Sequence, residues 1–234
     1  MRRGAIVTGL LLATIALLIG LGVWQLERRT WKLALIAQTE RKLRQPPVAA
    51  PGPDRWTGIG AQDAYTPVVA RGRYRAAADT YVQAVTDLGG GFWVLTPFDA
   101  ERGFTLMINR GFVPSDRRGQ TAASSEVQTV RGLLRVSEPG GGFLRHNDPA
   151  ADRWYSRDVA AIAATKRIGT VAPYFIDASG PDTGWPRGGL TVVRFRNSHL
   201  VYALTWFGLA LLVGIMAWRV RRPHGMQGPP SPRA

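Results

Sequence analysis

His199 is the only ionisable side chain in a stretch of 22 residues, Asn197 to Trp218, that carries no formal charge. Tyr202 and Trp206 follow it at i+3 and i+7, so on a helix all three share one face. An imidazole at the edge of hydrocarbon is a functional-site candidate by default. The plainer reading is an interfacial histidine lying among aromatics that prefer the same depth. Arg194 and Arg196 precede it closely, and guanidinium groups form charge-assisted, often bidentate bonds to carboxylates. Trp24 stands near the end of a second uncharged stretch, Gly4 to Leu26, 23 residues long. Trp24 and His199 are expected to meet at one membrane interface and to wall one site, with Trp24 packing on a ligand or on Trp206.

Other chemistries find little support. The chain has no cysteine, which excludes disulfides, thiolate metal sites and a thiol nucleophile. Away from the uncharged stretches, the middle of the chain holds one histidine, His146, in Arg145-His-Asn-Asp-Pro. A Ser–His–Asp triad through His146 would lack a nucleophile elbow. His146 with Asp148 and Asp152 could contact a metal, but carboxylates in such loops more often cap turns. The triple-glycine runs precede strands rather than helices, so they lack the context of a phosphate cradle. Methionine stands only at positions 1, 107, 216 and 226, which argues against copper delivery. The arginines are scattered and no nucleic-acid fingerprint accompanies them, so no nucleic-acid partner is expected. No enzymatic activity is expected.

Both uncharged stretches are long enough to cross a bilayer as helices. Between them lie residues 27–196, with all 16 acidic residues and 24 of the 30 basic ones, a net charge of +8. A basic domain tethered at a bilayer is drawn to anionic lipid or acidic protein surfaces. The expected fold is two transmembrane α-helices flanking a β-rich α+β domain, an antiparallel barrel or sandwich with one packed helix. The boundaries read as a first transmembrane helix over 4–26, a membrane-proximal amphipathic helix over 27–45, a Pro/Gly/Ala-rich linker over 46–60, the β-rich domain over 61–196, a second transmembrane helix over 197–218 and a tail over 219–234. Expected strands are 66–74, 80–85, 92–97, 104–112, 127–136, 174–176 and 190–195, separated by turn residues. One helix is expected over 157–167 with Ser156 as its N-cap. Met1-Arg2-Arg3 before an apolar run without a small-x-small cleavage site reads as an uncleaved signal anchor. That start places both termini in the cytoplasm and the domain outside. With no transit peptide ahead of it, the expected setting is a bacterial cytoplasmic membrane and a periplasmic domain.

Several blocks resemble a known family. Gly22-Val-Trp-Gln-Leu-Glu-Arg-Arg-Thr-Trp-Lys32 is similar to the Gly-x-Trp-Gln-x-x-Arg-x-x-Trp-Lys signature of the surfeit locus protein 1 family. Phe92-Trp-Val-Leu-Thr-Pro-Phe98 and Ile108-Asn-Arg-Gly-Phe-Val-Pro114 resemble two further blocks, the second with Phe112 in place of the usual Trp. Gly132 to Glu138, Pro173-Tyr-Phe-Ile-Asp177 and Gly188-Gly-Leu-Thr191 follow in the family order. Asn197-x-His-Leu-x-Tyr-Ala-x-Thr-Trp-Phe207 closes the series, so the resemblance runs from Gly22 to Ala210. It implies a cytochrome c oxidase biogenesis factor, acting where subunit I of a haem–copper oxidase acquires haem a. It further implies transient haem a binding, with His199 as axial ligand to the iron. Arg194 and Arg196 would then face the propionates, Tyr202 the ring edge, and Trp206 and Trp24 the macrocycle. Haem a synthesis machinery and membrane lipid are further expected partners. The alternatives are a scaffold that stabilises nascent subunit I without binding haem, and a membrane-anchored enzyme.

Overall fold

Five strands close into a ring, some alternating buried with exposed side chains and some buried on both faces. The computed structural model describes residues 2–75, 78–121, 123–142, 144–180, 184–190 and 197–221. They divide into a helical unit, residues 2–38 with 197–221, and a β unit, the described residues between 39 and 190. In chain order the elements are α1 (Arg2–Leu43), β1 (Val48–Ala49), β2 (Pro67–Tyr74), β3 (Thr80–Thr86), β4 (Gly89–Ala100), β5 (Phe104–Pro114), β6 (Gln128–Val136), β7 (Gly141–Gly142), β8 (Arg145–His146), α2 (Val159–Thr165), β9 (Val171–Ala178) and α3 (His199–Arg221).

The sheet runs β1-β2-β6-β9-β5-β4-β3, and β2 also pairs with β4. That extra pairing closes β2, β6, β9, β5 and β4 into a five-stranded barrel, with β3 lying outside the ring on β4. Every pair in the ring is antiparallel except β5 with β9, which is parallel. One buried cluster draws on all five strands: Val68 and Tyr74 of β2, Phe98 of β4, Leu106 and Ile108 of β5, Leu134 of β6, and Tyr174 and Ile176 of β9. The alternate residues Leu95, Met107 and Phe175 face the other way. There they pack with Trp154 and with Val159, Ile162 and Ala163 of α2. β5 and β9 are therefore buried on both faces, as strands beneath a helix are.

Charge is buried at the parallel pair. Asn109 and Asp177 are register partners, and Asn109 Nδ2 donates to Asp177 Oδ1 at 2.7 Å. The Asp177 side chain is 5% exposed and also receives Arg135 Nη1 at 2.9 Å and Arg157 Nη1 at 3.3 Å. Glu138 receives Arg157 Nη2 at 2.6 Å and Arg135 Nη2 at 3.4 Å. Two carboxylates thus hold two guanidiniums, which satisfies charges that burial would otherwise penalise.

Residues 46–60 differ from the expected linker. Val48 and Ala49 pair with Val68 and Val69, and Ala50 is 2% exposed in the barrel core. Pro51 O accepts from Tyr174 OH at 2.7 Å and from Trp56 Nε1 at 3.1 Å. The composition is that of a loop, but tertiary donors fasten its carbonyls. The helix expected over 157–167 is shorter, and its N-cap is Asp158, whose side chain accepts from Ala161 N. Ser156 instead donates to Glu138 O at 2.7 Å and accepts from Asn147 Nδ2. The expected strand 190–195 lies outside the described residues from 191 onward.

In the helical unit, α1 is one uninterrupted helix of 42 residues, about 60 Å long at 1.5 Å per residue. It exceeds the ~30 Å hydrocarbon core of a bilayer and stops before Pro46, as a helix before Pro-Pro should. Both α1 and α3 are long and apolar enough to cross a membrane. Only 6% and 11% of their most apolar windows are buried within the protein. Core helices of soluble proteins bury far more, so these surfaces suit lipid.

Replacing Asp177 by Ala leaves two buried guanidiniums with one carboxylate fewer between them. Breaking such a network costs about 3–5 kcal/mol, which lowers Tm by on the order of 10 °C in a chain of this size. Thermal unfolding of the purified protein followed by circular dichroism measures it. A shift of only a degree or two would show that the network is not what holds β5 to β9.

Candidate functional site

The site is built on a seam between α1 and α3. Gly22 of α1 is buried, and a Cβ placed there would come within 2.3 Å of the Phe207 ring. On α3, Ala203 is 0% and Ala210 6% exposed. Small residues at helical spacing let two backbones approach closely where no water drives them together. One turn from Gly22, Gln25 Oε1 lies 2.7 Å from His199 Nδ1. With the amide oxygen as acceptor, the neutral tautomer that fits this pair donates from Nδ1 and keeps its lone pair on Nε2. A neutral imidazole with a free Nε2 is a competent ligand for iron, and a bond at the other ring nitrogen orients it.

The expected residues separate into two groups. His199 and Trp206 are half-buried on the seam side of α3. Tyr202 and Trp24 are 56% and 53% exposed. The partner at the other end of the His199 bond is thus Gln25, the residue beside Trp24, because a turn of 100° per residue aims neighbours in different directions. Arg194 and Arg196 lie outside the described residues. Beyond His199 the seam opens into an apolar cleft of about 530 Å³, lined by Ile15 and Ile19 of α1 and by Phe207, Leu211, Ile215 and Trp218 of α3.

The loop around His146 is occupied with structural work. Asp148 caps the turn at Pro149–Ala151 and binds Arg153 Nη2 at 2.6 Å. Asp152 accepts from Trp154 Nε1 at 2.8 Å and from Lys166 Nζ at 3.0 Å. Among the described residues no group of three or more His, Cys, Asp or Glu could hold a metal ion.

The block Ile108 to Pro114 is explained residue by residue. Asn109 joins the Asp177 network. Gly111 has φ +132°, and a Cβ there would come within 2.1 Å of the Arg187 carbonyl oxygen. No other residue fits that combination of conformation and contact. Phe112 is fully buried with its ring edge-on to Trp93 at 5.9 Å.

The chain has no native cysteine, so introduced pairs can be cross-linked without background. Cysteines at positions 25 and 199, treated in membranes with a short bifunctional thiol reagent, should join in higher yield than a pair at 24 and 202. Equal yields would show that the seam does not run through Gln25 and His199.

The SURF1 family profile matches residues 12–211. Surfeit locus protein 1 of Rattus norvegicus is 36% identical over 233 aligned residues, covering 88% of this chain and 74% of the relative. Surfeit locus protein 1 of Homo sapiens is 36% identical over 216 residues, covering 82% and 69%. A SURF1-like protein of Drosophila melanogaster is 32% identical over 228 residues, covering 86% and 72%. With the profile spanning most of its length and reaching into both apolar helices, this chain belongs to the SURF1 family.

Proposed function

We propose that this chain is a membrane-anchored assembly factor for a haem–copper (cytochrome c) oxidase, and that it holds haem a as cargo for insertion into subunit I. The observation that carries the haem reading is the 2.7 Å bond from His199 Nδ1 to Gln25. It leaves Nε2 as the electron-pair donor that haem iron accepts. His199 would be the axial ligand. Trp206 stands two turns along the same helix, and the exposed rings of Trp24 and Tyr202 are accessible to a macrocycle. The apolar cleft between α1 and α3 offers a wall for the farnesyl tail. Arg194 and Arg196 remain the expected partners of the anionic propionates. Haem a, when bound, supplies the iron and porphyrin destined for the oxidase; the chain supplies a ligand, an orienting acceptor and an apolar surface.

The same reading places the protein in a bacterial cytoplasmic membrane, with both termini inside and the barrel in the periplasm. It makes subunit I the client, and the machinery that synthesises haem a a neighbour. A reporter active only in the cytoplasm, fused after Gly140, should be silent; strong activity would invert the topology.

Wild-type protein purified from cells making haem a should carry a haem spectrum. His199→Ala should stay in the membrane and lose it, whereas Tyr202→Phe should only shift it. Gln25→Leu should weaken haem binding roughly 10–100-fold, the usual cost of removing a ligand's orienting partner, and Gln25→Glu should restore it. Haem at the wild-type ratio and spectrum in His199→Ala would show that the iron is held elsewhere. A wild-type protein without haem, from cells whose oxidase nonetheless depends on it, would leave the scaffold role.

A further inference from the structure

The β unit contains a pocket of about 390 Å³ that the haem reading does not use. Tyr74 at the end of β2, Arg110 of β5, and Gln128 and Arg131 of β6 line it, with Ser124 and Trp185 from the flanking loops. Tyr74 is only 9% exposed. Its ring packs edge-on to Phe98 at 5.0 Å, and the Arg110 guanidinium stands 5.4 Å from its centre. Its hydroxyl, however, has no hydrogen-bond partner among the described residues. Water reaches this oxygen, so the hydroxyl stands at the pocket wall as a donor with no internal acceptor.

The charges around this hydroxyl are unbalanced. Asp79 stands 3.6 Å from Arg110 and compensates it, while its two oxygens also accept from Thr96 and Thr121. Arg131 is exposed and has no ion-pair partner among the described residues. No Asp or Glu is among the described residues that line the pocket. Burial pushes the Tyr74 phenol up to about 12, so it is a neutral donor at physiological pH. One side of the pocket is apolar, with the Trp185 ring held between Arg117 at 5.7 Å and Arg187 at 5.2 Å.

We propose that this pocket binds an organic phosphate, with the Tyr74 hydroxyl and the Arg131 guanidinium as donors to the anion and Trp185 as the wall for its uncharged body. Ser124 Oγ accepts from Glu126 N and keeps its own proton, and Gln128 Nε2 donates to Ser124 O and keeps a second N–H; with Tyr74 and Arg131 these make more donors than a two-oxygen carboxylate would use, which favours phosphate. The volume lies at the lower end of the range for small-molecule sites and exceeds what a bare anion needs. Two sources supply such a group next to a bilayer: a free phosphate monoester, or the headgroup of an anionic phospholipid. The site is independent of His199 and stands or falls separately from haem binding.

Isothermal titration of glycerol 3-phosphate into the full chain, held in phosphatidylcholine nanodiscs, tests this. Saturable binding is expected, weakened at least ~10-fold by Tyr74→Phe, which removes only the hydroxyl, and by Arg131→Gln, which lies on the surface. Arg118→Gln makes the same change in net charge beside Tyr81 and Phe92, outside this pocket. It should leave the affinity unchanged. Repeating the titration in nanodiscs containing phosphatidylglycerol distinguishes the sources. Loss of binding there identifies the headgroup as occupant, and retained binding identifies a free monoester. Absence of saturable binding in phosphatidylcholine, or equal affinity in wild type, Tyr74→Phe and Arg131→Gln with all three folded by circular dichroism, would overturn the proposal.

Discussion

A ring with an odd number of strands cannot alternate direction at every pair. Five strands close this barrel, so one pair has to run parallel, and it is β5 with β9. Much of the β unit follows from that constraint. A parallel pair needs a crossover rather than a hairpin, and this one carries β6 and α2. The crossover lays α2 and Trp154 over the outer face of β5 and β9, which buries both faces of these strands. Asn109 and Asp177 face each other in the parallel register, and Asp177 gathers Arg135 and Arg157 there. A slip of one residue would turn these charges toward the apolar side. The buried ions therefore specify register, whatever they add to stability.

The helical unit is governed by close approach instead. Gly22 admits the Phe207 ring, and alanines at 203 and 210 keep the facing surface low. Only with the backbones this near does Gln25 reach His199. An amide is a weaker acceptor than a carboxylate, so it orients the imidazole without placing a formal negative charge at the membrane edge, where charge is costly.

Much of this was legible from residue types alone. β2, β3 and β6 show alternation, β4 and β5 are long apolar runs, and turn residues bound all five, so their positions follow. β9 was legible only as 174–176, because Pro173 and Asp177 interrupt its apolar run. Pro46 to Gly60 has the composition of a linker, and nothing local announces that Tyr174 and Trp56 donate to Pro51. Ser156 and Asp158 are both good caps; the choice falls to Asp158 because Ser156 is engaged by Glu138 and Asn147. At the site, His199 stands out because its surroundings lack charge. Gln25 does not, because its partner is 174 residues away. Tyr74 likewise looks like an ordinary strand aromatic until its hydroxyl is found without a partner.

The position of β9 in the ring has a consequence for how the chain becomes a barrel. Before residues 171–178 are available, the pairings β6-β2, β2-β4, β4-β5 and β4-β3 can all form. They give an open sheet whose β5 and β6 borders present unpaired backbone groups. Such borders are templates for pairing with another chain. β9 fills the gap between them, and it emerges about 20 residues ahead of α3. The nascent domain is thus most vulnerable to misassembly while it hangs from its first helix alone, and closure nearly coincides with the arrival of the second anchor. Truncations upstream of Val171 should be read as an opened sheet with two adhesive borders, rather than as a shortened barrel.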